Sequence, residues 1–140
     1  MRAHHANLPF PRFTKHMTKE VAKHVVMFRN AFPPKSGLSK TYSPRTIMKV
    51  KAIDRNKVFK LHFGAYVQVN EDRNVTNTLE ERKQGAICLG TTGNLQGTYI
   101  SFLLCSGKKI TRGKFTGLPK PKIFIKRVAA MTLAKNRTKD

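Results

Sequence analysis

Tryptophan is missing from the 140 residues, cysteine occurs twice and acidic side chains only seven times. Each scarcity removes a class of protein. Cys88 and Cys105 lie in apolar runs without CxxC spacing, which excludes a disulfide framework and predicts two buried free thiols in a reducing compartment. His4, His5, His16 and His24 cluster near the N-terminus, far from either cysteine, so no metal-ligand frame is formed and none is expected. Glu71 with Asp72 and Glu80 with Glu81 sit in a polar stretch, where solvated charge is the ordinary role. Too few carboxylates remain for acid-base or two-metal catalysis. Serines and threonines are plentiful, yet no base is placed to activate one. The chain reads as non-enzymatic, with no catalytic residue, metal or cofactor to assign.

Long apolar runs are absent too. Nothing approaches the roughly 18 residues of a bilayer span, and "MRAHHANLPFPRF" lacks the continuous apolar segment of a signal peptide. A soluble, intracellular protein without a membrane partner is expected.

Basic residues dominate: 28 Lys and Arg give a formal net charge of +21. Such an excess on one small domain favours a polyanionic partner, most simply nucleic acid. The charge is segregated. Fourteen basic residues fall between Arg2 and Lys60 and eleven between Lys108 and Lys139, while the middle segment is near neutral. That pattern suits a folded module with basic flanks.

Along the chain, residues 1–14 read as an irregular lead-in with Pro9 and Pro11. Met17, Val21, Val25, Phe28 and Phe32 recur at helical spacing, with Ala22 and Val26 widening the stripe, until Pro33 and Pro34 end the helix. This amphipathic helix requires a surface to pack on, either the following module or a partner. A short second helix opens with Ser43 as N-cap and Pro44 at its first position, anchored by Ile47 and Met48. From residue 61 the period changes to two. "FGAYVQV" puts Phe63, Ala65, Val67 and Val69 on one face, and "GAICLG", "TYISFLL" and "KITRGKF" supply three more strands. The expected fold class is α+β: helices over 15–60, a small antiparallel barrel over 61–118, closed by a brief fifth strand near "KIFI", and a basic linker or tail over 119–140. Ile123 to Leu133 fits either strand or helix, with Phe124, Val128 and Met131 on the helical face.

Two motifs bear on function. "GTTGNLQG" has the glycines of a phosphate loop but lacks its lysine and following helix, so a turn between strands is expected. On "GKKITRGKF", Lys108, Lys109, Arg112 and Lys114 line one strand and its turn, with Phe102 and Phe115 adding aromatic surface to the same hairpin. Those four are the expected nucleic-acid contacts, supported by Lys49, Lys51, Lys57 and Lys60. A charged edge strand that discourages aggregation is the competing reading.

The runs "FRNAFPPKSGLSKTYSPRTIM", "FGAYVQV", "GAICLGTTGNLQGTYISF" and "SGKKITRGKF" resemble the pol polyprotein of copia-type retrotransposons over about residues 8–130. Elements of algae such as diatoms carry a very similar "TGNLQG" turn. The resemblance implies that the helix ending at "FRNAFPPK", with Asn30 and Pro33, is the last long helix of an integrase core, and that "SPRTIM" is the short helix after it. It implies an SH3-like barrel from Phe63 to Phe115, Phe115 standing where related elements usually have Trp, and reads "LPKPK" as the linker toward the reverse transcriptase. The family's acidic triad and zinc ligands fall upstream of Leu8. The implied role is a non-catalytic part of a polyprotein that binds DNA non-specifically during integration, in the nucleus or a virus-like particle, alongside the rest of the integrase or a second copy. A ribosomal-type RNA-binding barrel and a purely structural assembly module are the alternatives.

Overall fold

The computed structural model describes residue 8 and residues 13–70, 83–94 and 96–137. Helix α1 spans Lys15–Ala31, with Thr14 as N-cap accepting from the Met17 amide at 3.3 Å. Phe32 is forced into extended backbone by the proline that follows, which ends the helix where the two prolines predict. Helix α2, Pro44–Lys49, opens on Ser43 as expected, its hydroxyl accepting from the Thr46 amide. A further short helix, α3 over Arg55–Val58, is capped by Asp54, whose carboxylate accepts from the Asn56 and Lys57 amides.

Among the described residues five strands follow: β1 Tyr66–Asn70, β2 Lys83–Thr91, β3 Tyr99–Leu103, β4 Lys109–Arg112 and β5 Phe115–Gly117. They form one antiparallel sheet in the order β4-β3-β2-β1-β5. The sheet does not close into the expected barrel, because no ladder joins β4 to β5 among the described residues. It is nonetheless sharply curled. Only Gly113 and Lys114 separate β4 from β5, a reach of at most about 11 Å, whereas a flat sheet would put its edges roughly 19 Å apart. The Arg112 Nε bond to the Asn70 carbonyl, at 3.3 Å, crosses the same gap.

"KIFI" is not the fifth strand. It begins α4, Lys122–Arg137, and the fifth strand is the end of the "KITRGKF" run, broken from β4 at Gly113. Lys83 and Gln84 join β2 instead of the preceding polar stretch, whose residues 71–82 lie outside the described ones.

Curling gives the sheet two buried faces. Val67, Val69, Ala86, Cys88, Tyr99 and Leu103 fill the concave side, with Ile110 and Phe115 packed against them. On the convex side Ile87, Leu89, Phe102 and Leu104 meet Met17 and Val21 of α1 and Phe124 and Val128 of α4. Each large apolar side chain so buried contributes roughly 1.5–3 kcal/mol. Burial on both faces explains why "AICL" in β2 runs apolar without alternation. Phe63 departs from its expected partners: it precedes β1 and packs on the convex side with α1.

Four apolar expectations fail. Phe28, expected on the covered stripe of α1, is 38% exposed. Val26, Ile47 and Met48 are exposed, since α1 turns Val26 away from the sheet and α2 is held by other groups. Cys105 is exposed as well, in the turn after β3, while Cys88 is buried and its thiol is pushed up to about 11 by burial.

Candidate nucleic-acid interface

The glycine-rich turn joins β2 to β3. Gly90, at φ +120°, sits beside a shift in the β2–β3 register. A Cβ there would lie 2.9 Å from Nδ1 of the buried His24, so the absence of a side chain is what lets α1 approach the sheet. Three residues on, the Arg45 guanidinium donates to the Gly93 carbonyl and fastens α2 to the turn. Asn94 then closes the turn, accepting from the Thr98 amide at 3.0 Å. A second anchor is Tyr99: its hydroxyl accepts from the Leu61 amide at 3.3 Å and donates to the Val58 carbonyl at 2.9 Å. Helical segment and sheet are thereby joined at several points.

These anchors leave a groove open between the turn and the helices. Lys49, Lys51 and Lys57 stand around it with Arg45, facing Gly93, Asn94 and Gln96. It continues between α1 and α2, where Lys23 joins Arg45 and Lys49 at the rim. Three of the four auxiliary lysines expected from sequence therefore meet at one place. Lys60 lies elsewhere, its ammonium 5.9 Å from the centre of the Phe115 ring.

The β4 residues are arranged differently. Lys109 and Arg112 point to opposite faces, as their odd spacing on a strand requires. Lys109 donates to Glu20 at 2.9 Å, and Lys23 reaches the same carboxylate at 3.3 Å. Glu20 is only 7% exposed. Burial alone would raise its pKa, but hydrogen bonds and charge from the two lysines outweigh that and hold it below the usual carboxylate value. Arg112 bonds the Asn70 and Thr111 carbonyls. Lys108 and Lys114 are exposed. Phe102 belongs to the convex core and offers no stacking surface.

No family model, curated protein or solved structure matches the chain significantly.

The site must therefore be read from its chemistry. Among the described residues the only acidic side chains are Glu20 and Asp54. Both are engaged, Asp54 by capping α3 and pairing with Lys57 at 3.8 Å. No group of three potential ligands is placed to hold a metal, and no helix is long and apolar enough to cross a membrane, among the described residues. Two contributors escaped sequence reasoning. Arg45 and Lys23 carry no local motif, and only the docking of α2 and of the Gly93 turn brings them together.

Proposed function

We propose that this chain binds DNA non-specifically through its phosphates, with the groove of Arg45, Lys49, Lys51 and Lys57 as the principal contact. The observation that carries the reading is that four cations surround one open groove with Asp54 the single carboxylate beside them among the described residues. Lys108 and Lys114 extend the contact surface, and Lys60 adds to it away from the groove, beside Phe115. Phosphates suit such a site because lysine ammonium groups and a free guanidinium edge need no base-specific geometry.

The wider reading is a module of a copia-type retrotransposon polyprotein, lying after the integrase core and holding DNA while another part performs the chemistry. Its support is the quoted motifs together with the strand order, a meander of four strands whose short fifth strand returns to the first, which suits an SH3-like module. The nucleus or a virus-like particle is the corresponding location.

Binding of a labelled duplex, followed by fluorescence anisotropy as salt rises from about 50 to 200 mM, should weaken on the order of 10²-fold or more for four to six phosphate contacts. Absence of binding, or affinity unchanged by salt, overturns the electrostatic mechanism. Preference for structured RNA over duplex DNA in competition would replace DNA by RNA as the partner.

A further inference from the structure

The part of the groove between α1 and α2 has a character that phosphate binding does not use. Its floor is apolar: Val26 is 58% exposed and Met48 83%, with Met27 between them, while Lys23, Arg45 and Lys49 stand around the edge. Among the described residues no carboxylate lines it. A phosphodiester backbone would engage the rim and leave the floor wet. Methionines in an exposed groove are adaptable apolar contacts that accept varied side chains.

From this pairing of apolar floor and cationic rim we infer that the α1–α2 groove docks an acidic amphipathic helix of a partner protein. Leucine-like side chains of that helix lie on Val26, Met27 and Met48, and its carboxylates meet Lys23, Arg45 and Lys49. Charge complementarity selects the occupant. A neutral apolar helix would offer no carboxylate to Lys23, Arg45 and Lys49, of which, among the described residues, only Lys23 has one, the Glu20 it shares with Lys109. A second copy of this chain would bring further positive charge to a rim already positive. The dimensions agree, since α1 lines the groove from Ala22 to Asn30, about 12 Å of helix, enough for the anchors of two successive turns in a helix-in-groove mode. Arg45 retains capacity for a carboxylate because its bond to Gly93 uses one edge of a five-donor group. The inference shares Arg45 and Lys49 with the DNA reading but rests on the apolar floor of Val26, Met27 and Met48, which that reading does not use.

The test uses the full chain and two synthetic peptides of about 18 residues, long enough for helix to form. Both have the same leucine, alanine and glutamate content. One carries leucines at i, i+3, i+4 and i+7; the other has them shuffled. At about 0.15 M salt, where exposed charge is screened beyond roughly 8 Å, the striped peptide should bind at least tenfold tighter than the shuffled one. Val26→Ser with Met48→Ser, both at exposed positions, should abolish that difference and leave affinity for duplex DNA unchanged. Equal binding of the two peptides overturns the inference, as attraction is then charge alone. If the double variant weakens DNA as much as peptide, nucleic acid is the occupant. If sedimentation shows a dimer that the double variant dissolves, a second copy is.

Discussion

The two basic stretches of this protein carry similar residues and do different work. Between Lys108 and Lys114 two of the four cations are tied to their own chain, Lys109 by Glu20 and Arg112 by backbone carbonyls. Between Arg45 and Lys57 two of the five cations are tied as well, Arg45 to the Gly93 carbonyl and Lys57 to Asp54, but this stretch surrounds an open groove. Each stretch thus lends cations to the fold's fastening, and the second differs in that Lys49 and Lys51 stand beside an open groove. Charge count barely ranks the two stretches, five against four; the groove separates them.

The most drastic way to break the contrast is Gly90→Ala. A side chain at φ +120° beside His24 strains the turn and pushes α1 off β2, which should cost about 2–4 kcal/mol. Chemical denaturation would register the loss, and both basic stretches would lose their present geometry together. Next in size, Lys49→Glu with Lys51→Glu should weaken duplex binding about 10- to 100-fold at 0.1 M salt, and Lys108→Glu with Lys114→Glu about 3- to 10-fold. Anisotropy titrations of the two variants side by side would invert the comparison if the second proved the more damaging.

Glu20→Gln separates fastening from binding. It removes the buried partner of Lys109, so stability should fall by about 1–2 kcal/mol at neutral pH, while the freed lysine should tighten DNA binding about twofold. In the parent protein the lowered carboxyl pKa means that this stabilisation is fully present above the ordinary carboxylate range and is lost as pH falls through the lowered value. The variant's unfolding free energy should lack that acid-side decline. The smallest effect is expected at Val50, an exposed β-branched residue at φ +53° that caps α2 in left-handed backbone. Val50→Gly should raise stability by about 1 kcal/mol without altering DNA affinity, as thermal melts and titrations would show.

How much of this was legible beforehand depended on whether the cause was local. The stop at Pro33, the Ser43 cap and the strands around Val67, Ala86 and Ile100 follow from chemistry within a few residues, and they were read correctly. The "GTTGNLQG" turn was legible for the same reason. What Val26, Ile47 and Met48 do was not, because periodicity marks an apolar face without saying whether anything covers it. The "KIFI" run was ambiguous until α4 could be placed against Tyr66 and Phe102. Lys109 was the hardest to read: its partner lies 89 positions away in α1. Arg45 depended in the same way on a turn 48 positions distant.

The two-residue passage from β4 to β5 has a bearing on self-association. It holds the sheet's two edges near each other, and those edges are the shortest strands among the described residues, four and three residues long. An incoming strand from another molecule would find little straight backbone to pair with, bordered by Lys108, Lys109, Arg112 and Lys114. A protein that gathers on a polyanion is brought to high local concentration, where exposed edges become dangerous. Here the strands most open to such pairing are brief and positively charged, so crowding on the proposed DNA partner need not turn into aggregation.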